Sequence, residues 1–350
     1  MSTAAWGATA PDSGMAPLTI ERRPLRDEDV AIQITHCGVC HSDLHTARND
    51  WGRTKYPAVP GHEIVGIVRA VGAGVTKFAV GDRVAVGTVI DSCRTCDACT
   101  HGDEQYCEVG NTGTYNGTDR IDGSPTYGGY SADIVVAEPY VLRVPDNLDM
   151  AAAAPLLCAG ATTWSPLRHW KVGPGTRVAV IGLGGLGHLG VKFAKALGAH
   201  VTMITGSPSK IPDAELLGAD EVLLSSDKDA MRAAARKFDF VLDTVPVRHD
   251  VTKYLFLLDR NGTLCIVGMI DMMPELHTGL LLGGRRAVSG SGVAGIPETQ
   301  EMLDFCAEHQ VLPEIEMIRM DEINHAFERM ERADVKYRFV IDMATLAPAA

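Results

Sequence analysis

The sequence predicts an α/β protein of two domains, a strand-rich domain and a doubly wound parallel sheet, with the chain returning to the first domain at its end. Three observations predict this. Between Asp29 and about Pro145, short β-rich runs are punctuated by glycine and proline, the texture of a small strand-rich domain. After Pro155, apolar runs alternate with helical stretches, which implies parallel strands joined by crossover helices. Finally, Gly182-Leu183-Gly184-Gly185-Leu186-Gly187 spells G-x-G-x-x-G at one strand-to-helix turn. At 350 residues the chain is long for one core and comfortable for two.

In the first domain, strands are expected over 30–35, 64–71, 83–89 and 131–136, with Gly72, Gly74 and Gly81 marking tight connections. In the second, 177–181 reads as a buried strand, 187–197 as a helix by its apolar spacing, and 201–205 as the next strand. Further strands are expected over 221–224, 238–243 and 263–267, each preceded by a helix. Pro297 opens a helix through Glu308, 321–332 is a second amphipathic helix, and 337–341 is a final strand. This tail reads as rejoining the first domain. The expected domains are therefore 1–155 with 297–350, and 156–296.

A composition of 46% hydrophobic and 22% charged residues supports folded cores and argues against disorder. The formal charge of -12 would repel nucleic-acid phosphates and anionic lipid surfaces, so neither is an expected partner. The first 30 residues lack a basic start followed by an apolar core. No apolar run reaches the roughly 20 residues that cross a bilayer, and the stretch from Ala151 to Ala161 is short and contains Pro155. A cytoplasmic protein is expected.

Nine cysteines, an odd number with x2 spacings, read better as reduced metal ligands than as disulfides. Cys93, Cys96, Cys99 and Cys107 form C-x2-C-x2-C-x7-C, four thiols close enough in sequence to enclose one zinc and staple a loop. A redox-active or unpaired set is the alternative. A zinc-ribbon nucleic-acid module conflicts with the acidic charge and the lack of a basic flank. Cys37, Cys265 and Cys306 sit beside apolar neighbours and read as small buried hydrophobes.

Three further pieces carry chemical groups: the run from Cys37 to His45, with Cys40, His41, Ser42, Asp43 and His45; Gly61-His62-Glu63; and Cys158-Ala159-Gly160. Cys40, His62 and Cys158 form a dispersed set that suggests a second, open metal position, although no piece defines a site alone. The glycine run lets backbone approach a pyrophosphate at a helix N-terminus. An acidic residue after the next strand would bind the ribose of NAD. Here the chain reads Thr205-Gly206-Ser207-Pro208-Ser209-Lys210, hydroxyls and a cation that suit the 2′-phosphate of NADP(H).

With these pieces assembled, the chain from about Asp29 to Ile341 resembles the zinc-dependent medium-chain alcohol dehydrogenases, and most closely the cinnamyl alcohol dehydrogenase-like NADP-dependent aldehyde reductases. The likeness rests on Gly38-Val39-Cys40-His41-Ser42-Asp43, Gly61-His62-Glu63, the cysteine quartet, Pro155 to Gly160, Gly182 to Gly187 and Tyr337 to Asp342. It implies a GroES-like catalytic domain plus a Rossmann domain, two zinc ions per chain and NADP(H). Cys40, His62 and Cys158 would hold the catalytic zinc, with Glu63 able to enter the coordination shell and Asp43 orienting His62. Ser42 would take the alcohol proton and His45 would pass it on.

The resemblance also implies cofactor contacts. His41 would lie near the pyrophosphate, with Leu183, Gly184, Gly185 and Leu186 along it between Gly182 and Gly187. Thr162 would sit close to the nicotinamide, and Thr205, Ser207 and Lys210 around the 2′-phosphate. Thr244, Val267, Gly268 and the segment from Ser289 to Val293, including Ser291, would line the nicotinamide side. Trp51, Tyr115 and Trp164 are expected as apolar pocket walls favouring aromatic or medium aliphatic aldehydes. Gly292 falls where related enzymes carry a bulkier side chain. A homodimer is implied by resemblance alone. Reduction of an activated carbon–carbon double bond is the rival chemistry, and a non-catalytic NADP-binding protein the rival class.

Overall fold

The computed structural model describes residues 2–269, 272–273 and 275–346. The chain divides into two compact units, 1–158 with 294–350, and 159–293. Each unit buries a core of its own. Among the described residues no helix is long and apolar enough to cross a membrane.

The first unit is organised around one long strand, Asp29–Gly38, whose alternating apolar residues Val30, Ile32 and Ile34 point into the core. Ile64–Val71 pairs antiparallel along one edge of it. On the other edge Asp133–Ala137 covers its first half and Arg338–Asp342 its last three residues. Ile315–Arg319 lies parallel outside Arg338–Asp342, and Arg83–Val86 and Leu142–Arg143 extend the sheet beyond Ile64–Val71. The end of the chain therefore rejoins the first unit through hydrogen bonds to the strand that leads into Cys40. A separate hairpin pairs Ser2–Gly7 with Ala16–Glu21.

Two expectations need adjusting here. The predicted run 83–89 is two strands, Arg83–Val86 and Val89–Asp91, the second pairing with Thr112–Gly113 to frame the cysteine lobe. Ala287–Gly290 adds a strand that the sequence reading lacked.

In the second unit six parallel strands stand in the order Glu221–Leu224, His200–Thr205, Arg177–Ile181, Phe238–Asp243, Leu258–Ile266, Ala287–Gly290. Strand order reverses between Arg177–Ile181 and Phe238–Asp243, the switch point where such sheets bind ligands beyond their carboxyl ends. Buried Ala179, Ile181, Ile204, Phe238, Val241 and Leu264 contribute to one side of this sheet's core. The inner strands Arg177–Ile181, His200–Thr205 and Phe238–Asp243 are buried along nearly their whole length, as expected where both faces are covered.

Candidate active site

The first cluster begins at the end of Asp29–Gly38. Cys40 caps the helix His41–Arg48, and its backbone N–H donates to Asp43 Oδ2 at 2.9 Å, which fixes the turn. Gly38 has no room for a side chain: a Cβ there would lie 1.9 Å from Glu63 Oε2. His62 and Glu63 come from the loop before Ile64–Val71. Cys158 comes from a single π-helical turn, Leu156–Gly160, between the helices Met150–Pro155 and Ala161–His169. Such a turn re-aims a side chain inside a helical stretch.

One donor atom each from Cys40, His62, Glu63 and Cys158 lies within 4.8 Å of the others. The Cys40 and Cys158 sulfurs are 3.9 Å apart. Thiolates sharing a tetrahedral zinc with bonds of about 2.3 Å stand roughly 3.8 Å apart, so the spacing fits that ion. His62 Nδ1 is 3.2 Å from Asp43 Oδ1, which leaves Nε2 as the ligand nitrogen. Burial pulls the His62 pKa down, but the Asp43 carboxylate more than offsets this and holds it well above its ordinary value. Hydrogen bonding from Cys158, aided by His62, holds the Cys40 thiol well below the usual range, towards the thiolate a metal needs.

Glu63 is completely buried and paired with Arg338, while its Oε2 has no hydrogen-bond partner. Burial pushes its carboxyl up to about 7 against the pull of Arg338. A buried carboxylate oxygen without a proton donor, beside two thiols and an imidazole, is chemically matched to a cation.

The second cluster is the cysteine lobe. The sulfurs of Cys93, Cys96, Cys99 and Cys107 also lie within 4.8 Å of one another, with Cys93 and Cys99 3.8 Å apart. Hydrogen bonds from the backbone at Thr95 and Cys96 bring the Cys93 thiol down to about 6. The lobe is tied down by Arg94, which pairs with Asp91 and Glu28, and by Glu104, whose Oε2 accepts from Ile296 N at 2.9 Å. Four thiols and no open position describe a closed, load-carrying metal site. Cys99→Ser is expected to lose one zinc and about 2 kcal/mol of stability, read as zinc per chain and Tm. An unchanged Tm with that zinc gone would refute a structural role.

In the second unit the glycine turn follows Arg177–Ile181. Gly182 has φ 89°, and a Cβ there would lie 2.9 Å from Val245 Cγ2. At Gly187 a Cβ would fall 1.8 Å from the Gly182 carbonyl oxygen, whereas at Gly184 it would meet nothing within 4 Å. The turn is thus closed on its protein side and open at Gly184, the cradle a pyrophosphate occupies. Thr244 Oγ1 donates to Ile181 O at 2.7 Å and so lines the switch point.

Family models match the chain over both parts: an alcohol dehydrogenase GroES-like domain at residues 26–146 and a zinc-binding dehydrogenase at 185–308. NADP-dependent alcohol dehydrogenase C 1 of Mycolicibacterium smegmatis is 54% identical over 99% of both chains. Aldehyde reductase YahK of Escherichia coli is 53% identical, again over 99% of both. Among solved structures, the cinnamyl alcohol dehydrogenase of Sorghum bicolor superposes with a TM-score of 0.96 at 44% identity, covering 100% of each chain. This chain belongs to the zinc-binding alcohol dehydrogenases.

In this dehydrogenase Ser42 and His45 lie three residues apart on the helix His41–Arg48, hence on one face. His41 is exposed in the first turn, its ring 6.4 Å from that of His45. His45 Nδ1 lies 2.7 Å from Asp50 Oδ2, a partner the sequence reading missed. Trp51 is half-buried and 5.4 Å from the His45 ring, with the Arg53 guanidinium over its face.

Two of the three expected pocket walls need correcting. Trp164 is 1% exposed and packs edge-on to Phe193, with the Arg168 guanidinium over its ring, so its indole is core. Tyr115 is no plain apolar wall: its hydroxyl stands 3.2 Å from His62 Nδ1.

The expected cofactor residues lie at or just beyond the carboxyl ends of the second unit's strands, apart from Thr162, buried on Ala161–His169, and His41. Lys210 Nζ donates to Leu183 O at 2.7 Å, joining the loop after Thr205 to the glycine turn. Thr205 is buried and its Oγ1 accepts from Ser207 N. Ser207 and Ser209 pair their hydroxyls at 2.9 Å, which adds Ser209 to the polar groups of this loop. Val267 and Gly268 donate their N–H groups to Asp243 O, and Ser291 N donates to Ile266 O. Val293 is held at φ 41°, unusual for a β-branched residue and a mark of a constrained segment. A Cβ at Gly292 would meet nothing within 4 Å.

Proposed function

We propose that the chain is an NADP(H)-dependent alcohol dehydrogenase acting mainly as an aldehyde reductase, with aromatic and medium aliphatic aldehydes as substrates. The observation that carries this is the grouping of Cys40, His62, Glu63 and Cys158 beside the helix that bears Ser42 and His45. When bound, zinc at such a site supplies Lewis acidity towards a substrate oxygen and the nicotinamide supplies or accepts hydride.

The chain's own residues do the rest. Asp43 holds the His62 ring in the tautomer that frees Nε2. Ser42 Oγ exchanges the proton of the substrate hydroxyl, and His45 carries it on. Asp50 engages His45 Nδ1, so Nε2 is the nitrogen available for that transfer. Retention of this relay favours carbonyl over alkene reduction, which needs no alcohol proton. The open space beside Gly292, where a Cβ would meet nothing within 4 Å, supports a permissive pocket.

Steady-state oxidation of NADPH with benzaldehyde and cinnamaldehyde tests the reading, with the cinnamaldehyde product analysed for carbonyl or alkene reduction. No turnover across an aldehyde panel by zinc-replete protein would overturn it. The hydroxyls of Thr205, Ser207 and Ser209 with Lys210 support NADP(H). Thr205→Asp is expected to move the ratio of kcat/KM for NADPH over NADH by at least about tenfold towards NADH, roughly 1.4 kcal/mol. An unchanged ratio would remove this loop from cofactor choice.

We read the working form as a homodimer in the cytoplasm. Ala287–Gly290 is the outer strand of its sheet, and Leu282 just before it is 83% exposed, which supports association at this edge. Nine free cysteines, each of them either in one of the two clusters or buried, support a reducing compartment.

A further inference from the structure

Asp43 is completely buried, and its two oxygens are divided among four donors from three places in the chain. Oδ2 accepts from Cys40 N at 2.9 Å and from the Tyr130 hydroxyl at 3.0 Å. Oδ1 accepts from Gly61 N at 3.0 Å and faces His62 Nδ1 at 3.2 Å. The backbone donors belong to the loops that carry Cys40 and His62. The tyrosine comes from elsewhere, the segment just before Asp133–Ala137.

Tyr130 is itself 0% exposed, and its ring is clamped, since a Cβ on Gly61 would lie 2.8 Å from Tyr130 Cδ1. Tyr115 approaches the same group. Its ring lies 5.5 Å from that of His62, and its hydroxyl stands beside both the imidazole and the Asp43 carboxylate. A carboxylate with one donor per oxygen can pivot about its Cβ–Cγ bond. With two donors on each oxygen the plane is set, and with it the direction of the hydrogen bond to Nδ1.

We propose that Tyr130 and Tyr115 are positioning residues for the catalytic metal, fixing the tautomer and ring plane of His62, Tyr130 through Asp43 and Tyr115 through its hydroxyl at Nδ1. The proposal rests on the zinc-dependent reading given under Proposed function. Outer partners of a ligating histidine set its orientation and basicity, and their loss weakens the metal's hold while leaving the ligand in place. Phenylalanine at either position keeps the ring and removes only the hydroxyl.

The test is zinc release from the full-length, zinc-loaded protein to a chromogenic chelator, followed in wild type, Tyr130→Phe and Tyr115→Phe. Wild type should carry two zinc ions per chain. In Tyr130→Phe one of the two is expected to leave about 10- to 100-fold faster, while the zinc of the cysteine lobe leaves at the wild-type rate and Tm stays within a few degrees. Tyr115→Phe should show the same selective acceleration, and it carries the test should Tyr130→Phe not fold. Wild-type release rates in both variants would overturn the proposal, as would equal acceleration of both ions together with a fall in Tm. Wild type that never takes up a second zinc would overturn the functional reading instead.

Discussion

Cys158→Ser is expected to abolish turnover while the protein stays folded and still binds NADPH. The serine hydroxyl is a poor donor to zinc and cannot reproduce the thiolate held 3.9 Å from Cys40. The loss removes the Lewis-acid contribution, several kcal/mol of the barrier; at roughly 5 kcal/mol this is a fall in kcat/KM on the order of 10^4. Cys40→Ser should behave alike, because both sulfurs belong to one cluster in the first unit while the glycine turn lies in the second. Zinc analysis should find one ion per chain, and fluorescence titration should find NADPH affinity near that of wild type. Loss of cofactor binding would mean these thiols are misassigned.

Arg338→Met should be the most destabilising single change among those considered. The guanidinium is buried against Glu63, which is itself fully enclosed, so removing the cation strands a carboxylate in the interior at a cost of about 3–5 kcal/mol. The pH dependence follows from the Glu63 carboxyl, which burial has already raised to about 7 from 4.5 despite Arg338. A raised carboxyl pKa means the fold prefers the protonated form. Its contribution is fully present below the unfolded pKa of 4.5 and is lost as pH rises through the folded value. Without Arg338 that folded value climbs further, so denaturant melts should show a larger penalty at pH 8 than at pH 6. The double variant Arg338→Met with Glu63→Gln should recover most of the loss. Equal penalties at both pH values would show that the ion pair is not what holds this strand in place.

Much of this architecture was legible because it is written locally. Ile64–Val71, Arg177–Ile181, Glu221–Leu224 and Phe238–Asp243 fall where short runs rich in apolar residues give way to polar or glycine positions. The cysteine quartet was legible for the same reason, its spacing being within one loop. The helix His41–Arg48 was not, since HSDLHTAR carries a single large apolar residue and no stripe. Nor was the π-helical turn at Leu156–Gly160, which has no compositional signal of its own. The partners Arg338, Tyr130, Tyr115 and Asp50 reach their targets through tertiary contacts or loop geometry, which residue spacing does not encode. Trp164 shows the converse failure: an aromatic near a suspected ligand reads equally as wall or core, and only packing against Phe193 decides.

The position of Cys158 as the last residue of the first unit, with Ala159 the first of the second, bears on how this protein can be recombined. A chimera joined at Pro155 imports the donor's residue at this position along with its cofactor module, and an active hybrid then requires a donor that brings its own cysteine. Joined after Gly160, the recipient keeps all three ligands, and the nucleotide preference becomes a part that can be exchanged.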